Sequence, residues 1–258
     1  MKLTQLKNFL NQYFGEELIA KARAKDEHMP NGLQWQGKEE IAKVVLGVSA
    51  NQEFFKEAVR IGADALVVHH GMAIDVAYNL FSPSLQKRLK VLMENTLSLF
   101  GYHYILDSHP VIGNNALIIK KLGAKKTETT IHDGWGWVGT FSQPQDVSKL
   151  VKKCTTLFSH DILPVKGAKK SIKRIGVVSG RGVPFALEKR ELIEKGVELY
   201  LTGEISEWNP QEFKELGITY LSCGHYATEV FGVQELGLVI KKEFPRLEVE
   251  FLDIPNPI

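Results

Sequence analysis

Three short segments of the sequence place histidine beside a second histidine or close to an acidic residue, where a hydrophobic stretch ends. They are Val67-Val68-His69-His70-Gly71, His103-Tyr104-Ile105-Leu106-Asp107 and His225-Tyr226-Ala227-Thr228-Glu229. Polar side chains at the end of a buried strand cost free energy unless they share a partner. Imidazole and carboxylate groups are the ligands that transition metals prefer. These segments therefore predict a metal site, and their number predicts two ions.

The spacing of His225 and Glu229 strengthens this prediction. A helix is expected over residues 227–244, and residues four apart lie on one helical face, where both can approach a single ion. The alternative is a Glu in the first turn, favoured by the helix dipole, with His225 as an incidental cap. Asp107 follows His103 by the same interval, but Pro110 and Gly113 predict a loop there.

His69 and His70 are neighbours, so in an extended strand their side chains would point to opposite faces. Gly71 permits a turn, and each imidazole could then bind a different ion. The alternative is a pair of histidines that only cap loop backbone. His103 and Glu204 each follow a predicted strand as well.

The elements that position these residues repeat along the chain. The first half predicts strands at 41–50, 62–68 and 96–102 with helices at 52–61 and 85–95. The second half predicts strands at 172–180, 196–202 and 218–224 with helices at 185–195 and 210–216. Counted from Gly62 and Gly196, His70 falls opposite Glu204. Glycine-capped βα units also look alike by default, which is the alternative to a duplication.

This alternation predicts an α/β fold with mainly parallel strands and a division into residues 1–124 and 125–258, whose last strand could return to the first half. Ligands of such folds bind beyond the carboxyl ends of the strands, where the three segments lie. The turn Gly180-Arg181-Gly182 could cradle a phosphate, but an ordinary strand-to-helix turn explains it equally well.

Composition narrows the function classes. The 258 residues include 32 Lys and Arg against 30 Asp and Glu, and the net charge of +2 disfavours a surface for polyanions. The two cysteines form no C-x-x-C pair, which argues against a disulfide framework or a thiolate zinc finger and favours the cytoplasm. No apolar run approaches the ~20 residues of a membrane span, and the first residues form no secretory signal.

Familiar catalytic motifs are missing from the sequence. It has no Gly-x-Ser-x-Gly elbow, no Walker A segment and no H-E-x-x-H helix, which disfavours hydrolysis by an activated serine. Imidazole and carboxylate donors suit zinc, iron, manganese, nickel or cobalt, and the residues do not choose among these metals.

Together with Pro30-Asn31-Gly32-Leu33-Gln34 and Phe251-Leu252-Asp253-Ile254-Pro255-Asn256-Pro257, the three segments resemble the GTP cyclohydrolase I type 2 homologue family, in particular its compact YbgI-like members. The resemblance covers essentially the whole chain. It implies a three-layer α/β/α fold of two similar, interlocked halves with a dinuclear metal centre at their junction. It also implies a homohexameric ring, a trimer of dimers. The implied metal ligands are His69, His70, Asp107, His225 and Glu229.

The resemblance implies a metal-dependent hydrolase in which metal-activated water attacks a nucleotide or related small molecule. It places His103 and Glu204 near the centre, as candidates for proton transfer in catalysis. A non-catalytic metal-handling protein, a metallochaperone or metal insertase, is the alternative, since the same ligands serve it. Nucleic-acid binding ranks last, because it rests only on short basic stretches such as Lys173-Arg174.

Overall fold

The computed structural model describes residues 1–73 and 81–258. Two compact units account for the chain: Met1–Leu106 with Val233–Ile254, and Asp107–Gly232 with Pro255–Ile258. The first unit takes in a segment from each end of the chain, so the units do not follow the predicted division at residue 124. The predicted halves 1–124 and 125–258 therefore stay a prediction.

Helices and strands alternate along most of the described chain. The helices are α1 (Leu3–Phe14), α2 (Glu16–Lys25), α3 (Gln52–Arg60), α4 (Pro83–Glu94), α5 (His103–Ser108), α6 (Asn114–Lys121), α7 (Val147–Phe158), α8 (Ala186–Glu194), α9 (Asn209–Leu216), α10 (His225–Thr228) and α11 (Val230–Glu243), with a 3-10 turn at His132–Gly134. The strands are β1 (Asn31–Trp35), β2 (Lys43–Ser49), β3 (Ala65–His70), β4 (Ser98–Tyr102), β5 (Lys125–Ile131), β6 (Gly136–Asp146), β7 (Leu163–Val165), β8 (Ser171–Val177), β9 (Leu199–Thr202), β10 (Thr219–Ser222) and β11 (Glu248–Phe251).

The first unit is built on a five-stranded sheet in the order β1-β4-β3-β2-β11. Only β1 runs antiparallel to its neighbour. Helices α3 and α4 cover one face, where Phe54 packs with Val45 and Leu66. Helix α1 lies on the other face, where the ring centroids of Phe14 and Tyr102 are 4.8 Å apart.

The second unit is built on a six-stranded sheet in the order β5-β6-β8-β9-β10-β7. Its centre, β8-β9-β10, is parallel, and the outer strands are antiparallel. Helices α6 and α7 pack on Ile175 and Leu201. Helices α8 and α9 pack on the other face around Tyr200. Each sheet is thus covered by helices on both faces, which confirms the predicted α/β fold class with its parallel strands.

A carboxylate holds the start of the central strands in each unit. Asp64 precedes β3, and its Oδ2 accepts hydrogen bonds from the amides of Ala42 and Lys43 at the start of β2. Glu198 precedes β9, and its Oε2 accepts hydrogen bonds from the amides of Lys173 and Arg174 in β8. The same arrangement of a carboxylate and two amides thus occurs in both units.

Two local predictions were wrong. The segment around Asp107, expected as a loop, belongs to helix α5, which ends at Ser108 before Pro110 interrupts it. The helix expected over 227–244 is divided at Glu229, whose φ of −114° and ψ of 4° leave the helical range. None of the helices in the described ranges combines the length and the apolar character needed to cross a membrane.

Candidate metal centre

Three imidazoles converge in the first unit. His69 and His70 end β3, and His103 begins α5 directly after β4. Strands β3 and β4 are parallel neighbours, so their carboxyl ends deliver these residues to one edge of the sheet. One ligand atom of each residue lies within 4.8 Å of the others. We call His69, His70 and His103 the histidine group.

The rings of the histidine group are close together. Their centroids are 4.6 Å apart for His69 and His70, 4.9 Å for His69 and His103, and 5.3 Å for His70 and His103. Both imidazoles of this strand end lie near His103. His69 is fully buried.

Each ring of the histidine group is held through its Nδ1 atom by an oxygen. The oxygens are the Tyr102 carbonyl at 3.1 Å from His69, the Ser49 hydroxyl at 3.0 Å from His70, and Asp26 Oδ2 at 2.8 Å from His103. A carbonyl or carboxylate only accepts, so Nδ1 of His69 and of His103 carries the proton. That tautomer presents the Nε2 lone pair as the ligand atom.

Asp26 was not predicted from the sequence, where it lies 77 residues from its partner His103. Its Oδ2 also accepts hydrogen bonds from the Tyr104 amide at 3.2 Å and from Asn31 Nδ2 at 3.2 Å. Burial alone would raise the pKa of Asp26, but the hydrogen bonds from His103, Asn31 and Tyr104 outweigh burial and lower the pKa. Asp26 is therefore an ionised, fixed acceptor for His103.

Four of the predicted residues lie in the second unit: Asp107, Glu204, His225 and Glu229. We call them the acidic group. His225 stands between two carboxylates, with its Nδ1 2.6 Å from Glu204 Oε1 and its Nε2 3.3 Å from Glu229 Oε2. The predicted approach of His225 and Glu229 across four residues is confirmed.

The carboxylates determine the charge of His225. Burial lowers its pKa, but Glu229 and Glu204 outweigh burial and raise the pKa of His225 to about 9. Beside these two carboxylates, the imidazole carries a proton at neutral pH. A divalent cation can take the place of that proton, because it supplies positive charge to the same carboxylates.

Asp107 and Glu229 are buried carboxylates, with 4% and 2% of their surface exposed, and a carboxylate oxygen of each lies within 4.8 Å of the other. Asp107 Oδ1 accepts hydrogen bonds from Ser179 Oγ at 2.6 Å and from Asn114 Nδ2 at 3.0 Å. Two buried carboxylates this close repel each other, and a cation between them offsets the repulsion.

Gly180 leaves the space that the acidic group occupies. Its φ is +58°, a conformation that glycine adopts without strain. A Cβ atom at this position would lie 2.0 Å from Glu229 Oε1 and 3.1 Å from His225 Nε2. The Gly180-Arg181-Gly182 turn, predicted as a strand-to-helix turn, thus has the further role of admitting these two side chains.

Two further histidines, His109 and His28, make contacts outside the histidine group and the acidic group. His109 Nδ1 accepts hydrogen bonds from the amides of Val111 and Ile112, each at 3.1 Å, and burial lowers the pKa of His109 to about 4. His28 is an exposed residue whose Nε2 lies 3.5 Å from a Glu27 carboxylate oxygen. His28 thus lies on the surface, and His109 has a role in the local loop.

Sequence reasoning found the donors but missed most of what holds them. Asp26, Asn114 and Ser179 each hold a candidate ligand through a hydrogen bond. The neighbouring buried asparagines Asn114 and Asn115 offered a signal, because polar side chains at buried helix positions need specific partners. Asp26 offered no such signal, since the polar residues around it in the sequence are typical of a surface turn.

The donor set of each unit fits a divalent transition metal. The histidine group offers imidazole nitrogens, and the acidic group offers one imidazole and buried carboxylates. The Nδ1 atoms of the three histidines of the histidine group and of His225 are all hydrogen-bonded to an oxygen. This is the arrangement found around metal-binding histidines. The fold and these residues define an α/β protein whose parallel strands end in groups able to bind metal ions.

The sequence profile of the Duf34/NIF3 (NGG1p interacting factor 3) family matches residues 1–257, and the chain belongs to this family. The "GTP cyclohydrolase 1 type 2 homolog" of Buchnera aphidicola subsp. Schizaphis graminum is 36% identical over 96% of this chain and 100% of its own. The solved structure of protein ybgI, of unknown function, superposes with a TM-score of 0.87 at 32% identity and covers 100% of both chains. That of TTHA1606 from Thermus thermophilus gives 0.83 at 27% identity, also over 100% of both chains.

Proposed function

We propose that this protein is a metal-dependent hydrolase that acts on a nucleotide or a related small molecule. Two divalent transition-metal ions per chain would be held by His69, His70, Asp107, His225 and Glu229. The names of relatives such as the Haemophilus influenzae "GTP cyclohydrolase 1 type 2 homolog", 32% identical over 100% of both chains, support this substrate class. The structure adds His103 as a further candidate ligand, through its place in the histidine group.

One observation carries the proposal: an oxygen atom at Nδ1 orients each of the four candidate histidines, which are His69, His70, His103 and His225. A histidine that only caps backbone has no need of a carboxylate behind it, whereas a ligand histidine gains basicity and a fixed ring from one. His103 has Asp26 in this position, and His225 has Glu204. The two carboxylates come from different parts of the sequence and serve the same purpose.

When bound, the divalent ions would supply Lewis acidity, which activates water and polarises an electrophilic carbon. The residues of the chain position and move protons. Asp26 keeps the proton of His103 at Nδ1, and Glu204 keeps that of His225 at Nδ1. Glu204 has a side chain 28% exposed, so it can also exchange a proton with a bound substrate or with solvent.

The family resemblance implies opening of the purine ring of GTP, which releases formate. Formate release from GTP therefore tests the proposed hydrolase directly. The purified protein is stripped of metal, reloaded in turn with zinc, iron, manganese, nickel and cobalt, and assayed for formate. We expect turnover with at least one metal, and its loss in Glu229→Gln. Full metal occupancy without turnover for any metal would contradict the assignment and favour the metal-handling alternative.

A further inference from the structure

Two neighbouring loops of the second unit have the same order of residues. Strand β8 leads to Arg181 and, four residues later, to Phe185 at the start of α8. Strand β9 leads to Glu204 and, four residues later, to Trp208 at the start of α9. The strands are parallel neighbours, so both loops lie at the carboxyl edge of this sheet, the edge where ligands bind in α/β folds.

The loops also contact each other in matching pairs. The charged residues meet, with Arg181 Nε 3.8 Å from Glu204 Oε2. The aromatic residues meet as well, with the ring centroids of Phe185 and Trp208 6.3 Å apart and their planes inclined at 33°. Glu204 in turn bonds His225. The two rings thus belong to the same pair of loops as a residue of the acidic group.

These rings are unusually open to solvent for their size. Phe185 is 64% exposed and Trp208 is 43% exposed, although most large aromatic side chains of the described chain are buried. Adjacent exposed aromatic rings are typical of a binding surface. The side chain of Arg181 is 81% exposed, so its guanidinium can reach an anionic group.

We propose that Phe185, Trp208 and Arg181 form a substrate subsite that takes a flat heteroaromatic ring joined to a phosphate. The ring stacks on Trp208 and Phe185, and the phosphate pairs with Arg181. This inference rests on the proposed function, because it assigns the substrate class of that same site. Stacking on aromatic side chains tolerates many bases, which is why no base-reading motif is needed in the sequence.

Binding of GMP and of ribose 5-phosphate, measured by calorimetry on the full-length, metal-loaded protein, tests the subsite. We expect GMP to bind about tenfold more tightly than ribose 5-phosphate, because only GMP can stack. Trp208→Ala should remove that advantage, and Trp208→Phe should restore most of it. Arg181→Gln should weaken both ligands. Leu187→Ala is the control, since it removes a 79% exposed aliphatic side chain from helix α8, which begins next to Phe185.

Equal affinity for the two ligands in the wild type, or unchanged GMP binding in Trp208→Ala, would overturn the subsite. So would a change of oligomeric mass in Trp208→Ala with GMP affinity intact, which would mean that a second copy of the chain covers the rings. Metal content is measured in parallel. A wild type that binds no metal refutes the proposed function. Normal metal content together with equal affinity for GMP and ribose 5-phosphate refutes only the subsite.

Discussion

Asp26 shows at the residue scale how the candidate ligands are fixed. Its carboxylate accepts three hydrogen bonds, from His103 Nδ1, the Tyr104 amide and Asn31, and only 8% of its side chain is exposed. The acceptor therefore cannot move without disturbing the backbone that carries His103. A change of this residue should act on the metal through the imidazole.

Asp26→Asn should weaken metal binding about tenfold or more, because the amide is a poorer acceptor and no longer fixes the His103 tautomer. Chelator competition measures the affinity, and nitrogen chemical shifts of His103 report where its proton lies. The exposed Asp161→Asn is the control. Unchanged nitrogen shifts and unchanged affinity in Asp26→Asn would refute the positioning role.

Gly180 makes a second prediction at the residue scale. Gly180→Ala should lower metal content, because the new methyl group would occupy the place of Glu229 Oε1. Gly196→Ala is a close control, since Gly196 has a similar φ of +65° but its Cβ would meet no atom nearer than 3.8 Å. Elemental analysis of both folded variants measures the outcome. Equal metal content in the two variants would contradict this prediction, because it would mean that the methyl group at position 180 does not displace Glu229.

At the residue scale, the sequence indicates which candidate ligands come together, because imidazole and carboxylate pairs have a characteristic spacing. His225 and Glu229, four residues apart, meet as expected. It could not predict Asp26, because a hydrogen bond between residues far apart in the chain leaves no local pattern. Nor could it predict Gly180 as a close contact, since the need for an absent side chain depends on tertiary packing.

At the scale of elements, buried or half-buried carboxylates also hold the starts of strands. Asp64 ties the start of β3 to the start of β2, and Lys38 adds an ion pair. Glu198 ties β9 to β8 in the same way, with an ion pair from Lys169. In each unit, a carboxylate thus fixes the register of parallel strands that deliver candidate ligands at their other ends.

Asp64→Asn should lower the free energy of unfolding by about 2 kcal/mol at neutral pH, the usual value of charge-assisted hydrogen bonds. Burial alone would raise the pKa of Asp64, but Lys38 and the two backbone amides outweigh burial and lower the pKa below its ordinary value of 3.8. The stabilisation is therefore complete above that ordinary value and is lost as the pH falls through the lowered pKa.

Urea denaturation as a function of pH measures this effect. The difference between wild type and Asp64→Asn should be constant near neutral pH and shrink in acid. The exposed Asp161→Asn again serves as the control. A difference that persists unchanged below the lowered pKa would mean that the carboxylate charge contributes nothing.

Most elements were predictable because apolar periodicity and glycine caps mark them. The strand expected over 62–68 is β3 (Ala65–His70), and the φ of +78° at Gly62 is typical of a glycine that caps the preceding helix. Helix α5 was not predicted, because Pro110 and Gly113 suggested a loop. Its six residues are too few to establish a helical pattern, and they are held by tertiary hydrogen bonds such as that of Asn115 to the Asp107 carbonyl.

At the scale of the whole molecule, the family resemblance implies a hexameric ring, and this assembly is a prediction. The described chain exposes large apolar side chains, with Val111 67% and Leu238 65% exposed, and such surface favours association. We expect light scattering to give a mass about six times the 29.0 kDa of one chain. A monomeric mass at micromolar concentration would contradict this expectation.

The central claim, that the histidine group and the acidic group bind metal ions, is tested most directly by elemental analysis. The wild type, His69→Ala, Glu229→Ala and the surface control His28→Ala are purified and reconstituted identically, and folding is checked by circular dichroism. We expect about two transition-metal ions per chain in the wild type and in the control, and a clear loss in the other two variants. Metal content near zero in the folded wild type, or equal content in all four proteins, would contradict it.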